Sequence, residues 1–204
     1  MRLAHHHRAP AGPEARRGRQ RGAALVEMAF VAMILVILSA GAFDYGMAWR
    51  VGLATNEAAR TAARTGSGMG TDPLTDWYAL SGARSALAAS GRLQDVQRVV
   101  IYKSTSTDGQ VPVNCTTGAA TTELCVEITG AQFRNMSSTS FNSTTGCFVG
   151  AVVANWCPSS RNDVQQTADY YGVWIQTRYT NQFKMISQGT TVNRDAVMRI
   201  EPAD

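Results

Sequence analysis

One acid stands where the chain is otherwise free of charge. Glu27 is the only charged residue among the 21 from Ala23 to Phe43. An ionised carboxylate costs roughly 2.5–3.5 kcal/mol at the middle of a membrane-inserted helix and less near an interface, so such a residue has an assigned partner. The four cysteines, Cys115, Cys125, Cys147 and Cys157, all follow that apolar run and form two C-x9-C pairs. No C-x-x-C pair occurs, so two disulfides in an oxidising compartment are the better reading than a zinc site. Of the three connectivities we take the local one, Cys115 with Cys125 and Cys147 with Cys157, each bond contributing about 2.8 kcal/mol at most in the chain-entropy picture. The three histidines, His5 to His7, lie at the N-terminus. They receive no metal role, because a bare tripeptide has no groups to orient its rings. Without histidine further along, Ser-His-Asp and Cys-His catalysis and His-rich metal sites are excluded from the rest of the chain. The remaining acids make weak pairs. Asp72 and Asp76 read as helix-start acids facing the dipole, and Glu123 and Glu127 as solvated flanks of a short strand. Asp163 and Asp169 lack the spacing of a calcium loop. No catalytic residue, metal or cofactor is expected.

The element that must position Glu27 is a helix. At about 1.5 Å per residue the apolar run spans ~31 Å, close to the ~30 Å hydrocarbon core of a bilayer, and in lipid an isolated segment satisfies its backbone only as a helix. Arg16, Arg17, Arg19 and Arg21 precede it, which places the N-terminus on the cytoplasmic side and the rest of the chain outside. Residues 1–22 hold six arginines and one acid, whereas residues 23–204 hold 13 basic and 14 acidic residues. The basic character therefore belongs to the leader, and no nucleic-acid footprint lies beyond it. The leader is rich in Arg, Gly, Pro and Ala and is expected to have no fixed structure.

Beyond Phe43 the helical pattern continues to Gly66 through Asn56–Thr65, with Ala54, Ala58 and Ala62 recurring every four residues. Such a line of small residues either admits a second helix closely or simply reflects a soluble helix of high propensity. A Gly/Ser hinge follows, then Asp72-Pro73 opens a helix to about Ser90 that buries Leu74, Trp77, Ala83 and Leu87. Strands are expected at Val96–Tyr102, Leu124–Ile128, Asp169–Tyr179 and Val192–Ile200. The expected organisation is a basic leader (1–22), a membrane and pilin-like helix (23–66) and an extracytoplasmic domain (67–204). The fold class is α+β: a long N-terminal transmembrane helix, then one helix packed on a mostly antiparallel sheet.

Three readings of the N-terminus compete. A cleaved secretory signal would use Ala40-Gly41-Ala42, but the apolar run exceeds the usual ~7–15 residues and contains Glu27. A plain anchor explains length and flank but not Gly22 followed by Glu27. The third is a prepilin-type signal: basic leader, glycine, then an apolar helix with glutamate at its fifth position. In R-G-A-A-L-V-E-M-A-F (21–30), Asp44-Tyr45-Gly46, N-E-A-A-R-T-A-A-R (56–64) and D-A-V-M-R-I-E-P (195–202), the chain resembles the TadE family of pseudopilins in tight-adherence (Flp-type) pilus systems.

That resemblance implies a substrate rather than an enzyme. A prepilin peptidase would cut between Gly22 and Ala23 on the cytoplasmic side, glycine suiting a backbone laid extended in a protease. The freed amine of Ala23 would pair with Glu27 of a neighbouring subunit and offset the burial of both charges. The implied partners are the peptidase, other pilins or pseudopilins, the pilus assembly platform and membrane lipid. The implied location is the bacterial inner membrane as a single-pass protein, with its C-terminal domain periplasmic or extracellular. The alternative of another class is a single-pass anchor displaying an α+β binding module, which predicts no processing at Gly22.

Overall fold

The computed structural model describes residues 13–105, 107, 109–118, 121–183 and 188–202, with side chains from Gly22 onward. The histidine run lies outside the described residues. In order come helix α1 (Pro13–Met69), helix α2 (Thr75–Ala89), strand β1 (Val96–Ser104), strand β2 (Cys125–Thr129), helix α3 (Gly130–Asn135), strand β3 (Val153–Ala154), strand β4 (Tyr170–Tyr179) and strand β5 (Thr190–Arg199). The fold is α+β, with a long apolar helix followed by helices and a five-stranded antiparallel sheet of order β3-β2-β1-β4-β5.

The chain divides into two units, one ending at Asp44 and one beginning at Tyr45. In the first, α1 begins at Pro13 rather than at Ala23, a correction to the unstructured leader. Residues 14–21 are mostly Glu, Ala, Arg and Gln, good helix formers. Proline at a first helical position gives up only an amide that has no partner within the helix.

In the second unit both faces of the sheet are covered. On one, the small residues Ala58, Ala59, Ala62 and Ala63 of α1 are fully buried with Ala79, Leu80, Ala83 and Leu87 of α2 against Val99, Ile101, Val173 and Ile175. The small residues thus admit α2 and the sheet together. Their close approach shows at Gly82, where an added Cβ would lie 3.1 Å from Thr61 Cγ2. On α2 the expected Ala83 and Leu87 are buried and Trp77 is half-buried, whereas Leu74 is not buried. Leu74 is 39% exposed and precedes the helix. Asp72 caps the preceding turn instead, its Oδ1 accepting the Leu74 amide at 2.7 Å. On the other face Val100, Tyr102 and Trp174 pack with Cys115 and Cys125. Both disulfides are local, with Cα–Cα separations of 6.3 Å for Cys115–Cys125 and 4.9 Å for Cys147–Cys157. Two small elements escaped the sequence reading, β3 and α3. The second carries a legible signal: Thr129 and Gln132 form a capping box in which the Thr129 amide donates to Gln132 Oε1 at 2.8 Å.

Glu127 corrects the expectation of a solvated flank. It is 1% exposed, and its Oε1 lies 3.0 Å from Arg98 Nε. Burial pushes its carboxyl above the usual 4.5, against the pull of Arg98 and of the Gly118 amide. An acid with a raised folded-state pKa binds its proton first in the folded state, so that state gains stability as pH falls through the raised value and the gain ends below about 4.5. The expected result is that wild-type stability, measured against Glu127→Gln, improves as pH is lowered from 7 towards 4.5. Melting temperatures of the two proteins in parallel over that range check it. A wild-type stability relative to Glu127→Gln that stays flat, or that falls, as pH is lowered would refute a raised carboxyl.

Candidate functional site

Gly22, Ala23 and Glu27 lie on α1 in its exposed apolar stretch. Every residue from Gly22 to Ser39 is exposed, and an added Cβ at Gly22 would meet nothing within 4 Å. Large apolar side chains stand out on all sides, Leu25 at 73%, Met28 at 70% and Phe30 at 60%. This is the one helix among the described residues long and apolar enough to cross a membrane. A surface apolar all round is matched to lipid or to other apolar helices rather than to water. Ala23 and Glu27 are four residues apart, hence on one face and about 6 Å apart along the axis. Among the described residues no cation is paired with Glu27.

The second unit holds a different convergence of charges. Asp76 of α2 is 1% exposed, and its carboxylate lies 2.8 Å from Arg161 Nη2. The Tyr171 hydroxyl donates to Asp76 Oδ1 at 3.0 Å. The Arg161 guanidinium stands over the rings of Trp156 and Tyr171, at 4.6 and 4.8 Å from their centroids. Burial pushes the Asp76 carboxyl up, while Arg161 and the Tyr171 hydroxyl hold it down; burial and the neighbouring carboxylate push Tyr171 well above the ordinary phenol. Perturbed groups of this kind mark sites of chemistry when a substrate can reach them. Here none can, since the Arg161 side chain has no exposure. The cluster is a brace. It ties α2 and the segment after the Cys147–Cys157 loop to β4. The sequence reading gave Asp76 to the helix dipole, and nothing local points to Arg161, 85 residues on.

The other acids are also structural. Asp169 pairs with Lys103 at 2.7 Å and accepts the Asn162 amide at 3.0 Å, and Asp163 accepts the Thr71 hydroxyl at 2.9 Å. Among the described residues no three His, Cys, Asp or Glu side chains stand together as a metal site would need. The structure therefore leaves the Gly22–Glu27 stretch as the candidate, with the four cysteines serving the fold of the second unit.

Residues 22–64 match a family model whose description is TadE-like protein. The match begins at Gly22 and takes in Glu27 and the alanine-rich stretch that packs under α2. No curated protein and no solved structure matches the chain.

Proposed function

We propose that this chain is a pseudopilin or minor pilin-like subunit, required to assemble a tight-adherence (Flp-type) pilus or a related type IV pilus or type II secretion machine. The observation that carries the reading is the exposed apolar stretch of α1 from Gly22 to Ser39, whose single acid stands five residues after the glycine at which the TadE-like match begins. The chain sits in the inner membrane with Arg16–Arg21 on the cytoplasmic side, and its α+β domain is displayed on the other. A prepilin peptidase cuts between Gly22 and Ala23. Because α1 runs through this bond, the peptide must unwind locally to enter the protease. Gly22 lowers that cost, being about 1 kcal/mol less helix-favouring than alanine.

Cleavage leaves a cation at Ala23. Within apolar surroundings its best partner is a carboxylate, and Glu27 of a parallel neighbour offers one at a stagger of about one helical turn. The pair lowers the cost of burying each charge and sets the axial register between subunits. Glu27→Gln keeps the helix and its insertion but removes the charge. Incorporation into the pilus machinery is expected to fall severalfold or more while the amount of membrane-inserted protein is unchanged. Piliation and membrane fractionation measure the two, and normal piliation by the variant would sink the assembly role. Intact mass of membrane-extracted protein tests the processing step. A mature N-terminus at Ala23 supports it, and a retained leader in cells with an active prepilin peptidase would favour a plain anchor displaying a binding module.

A further inference from the structure

The apolar run ends at Phe43, and Tyr45, two residues on, opens the second unit. Two residues reach at most about 7 Å. A membrane span ending at Phe43 therefore holds Tyr45 at the edge of the bilayer, by the covalent chain alone. β4 decides what else stands at that end of the unit. Gly66 of α1 lies against the Tyr171 ring, the hydroxyls of Thr55 and Thr177 are 3.0 Å apart, and Val51 packs with Tyr179. β4 thus runs antiparallel to α1 and descends towards Tyr45. The turn into β5 leaves after Tyr179 and returns at Thr190, its pair, so Phe183 belongs to the same end. So does the segment after α2, where the Arg92 guanidinium stands 5.6 Å from the centre of the Tyr179 ring.

This end is aromatic and basic. Tyr45, Trp49 and Phe183 are 71%, 59% and 53% exposed. Tyr45 and Trp49, four residues apart, share one face of α1. Arg50 and Arg178 are exposed beside them, the second next to Tyr179. The acids at this end are withdrawn: Asp44 is 8% exposed, and Asp95 is held by Arg92 at 3.3 Å. Glu57 lies six residues past Val51, about 9 Å further from Tyr45 along the axis. Asp195 of β5 is paired with Trp174, five residues back along β4 from Tyr179. In water, large rings exposed together at one end are unfavourable. At a bilayer surface they are matched, since the amphipathic rings of Trp and Tyr sit at headgroup level and an arginine fork meets phosphate oxygens.

We propose that this end of the second unit is a lipid-facing surface. Tyr45, Trp49 and Phe183 enter the headgroup layer of the leaflet away from the leader, and Arg50 and Arg178 pair with lipid phosphates. The folded domain then rests on the membrane instead of standing clear of it. The headgroup layer is about 5–7 Å deep on each side, which matches the reach of Tyr45 from the span and leaves Trp49, one helical turn further, at the outer rim. The inference rests on the reading of Ala23–Phe43 as a membrane span and adds to it a second contact with lipid, made by the α+β domain itself.

The test uses the full chain in vesicles of phosphatidylethanolamine with a minority of phosphatidylglycerol, doped with a nitroxide lipid labelled either at the headgroup or deep in the acyl chain. A bimane fluorophore is carried by Gln182→Cys, Val164→Cys or Leu35→Cys, one at a time. Val164 is 56% exposed and follows Asp163, which lies against Gly70 at the opposite end of the unit. The headgroup nitroxide should quench the fluorophore of Gln182→Cys severalfold more than that of Val164→Cys. Adding Trp49→Ser and Phe183→Ser to the Gln182→Cys chain should lower its quenching towards the Val164→Cys level. Equal quenching of those two labels, with Leu35→Cys quenched by the acyl-chain nitroxide, overturns the lipid-facing surface and leaves the membrane span standing. A Leu35→Cys label untouched by the acyl-chain nitroxide overturns the span and this inference with it.

Discussion

Arg161→Leu is expected to destabilise the folded second unit by about 3–5 kcal/mol, the usual cost of leaving one member of a buried ion pair alone. Asp76 would then be a carboxylate 1% exposed with only the Tyr171 hydroxyl for company. Trp156 and Tyr171 would lose the guanidinium that stands over both. Asp76→Leu should cost a comparable amount, since it strands a fully buried cation. The double change, Asp76→Leu with Arg161→Met, should cost less than either single change, because no unpaired charge remains and the volume is filled by apolar atoms. Denaturant unfolding of the full chain in micelles, followed by tryptophan fluorescence, measures all three. Singles that cost under about 1 kcal/mol would mean that the pair is solvated. A double change cheaper than either single one would mean that the pair adds little over an apolar substitute and contributes choice of arrangement instead. Only one docking of α2 and of the segment after the Cys147–Cys157 loop brings Asp76 and Arg161 together.

Gly66→Ala should be the next most damaging change. An added Cβ there would sit 2.2 Å from Tyr171 Cε1 and 2.4 Å from Cζ. The ring cannot swing aside without breaking its bond to Asp76, so α1 must lift off the sheet or the brace must open. Overpacking of this kind costs about 1–3 kcal/mol, occasionally more, and the linked loss of the Tyr171–Asp76 bond places the expectation at the upper end. Gly46→Ala is the control, because its Cβ would meet nothing within 4 Å. The same unfolding measurement reads both variants. A Gly66→Ala protein as stable as Gly46→Ala would show that α1 does not press on Tyr171.

The two changes act on one structural unit. Gly66 lets the end of α1 lie on the Tyr171 ring, and Tyr171 in turn donates to the carboxylate held by Arg161.

Much of the molecule was legible in the residues. Charge-free length from Ala23 to Phe43 dictates the exposed helix, and the lone Glu27 marks itself by its cost. Alternation in Tyr171, Val173, Ile175 and Thr177 dictates β4, because side chains of a strand point to opposite faces in turn. The line of Ala54, Ala58 and Ala62 left a close approach and plain helix propensity both open, and the burial of Ala58 and Ala62 decides for the approach. The C-x9-C spacings already favoured local disulfides. These features depend on neighbours within a turn or two, where backbone geometry and solvent exposure act directly on the sequence. What only the tertiary structure decided concerns partners. Asp76 looked like a dipole acid and became half of a buried pair with Arg161. Glu127 looked solvated and was sealed under Arg98. Gly66 looked like a helix end and proved to be the space for a ring 105 positions on in sequence. The burial of a charge is set by which loops cross above it, and the order of strands by how the chain returns. Those are properties of the whole topology, and no short window of residues contains them.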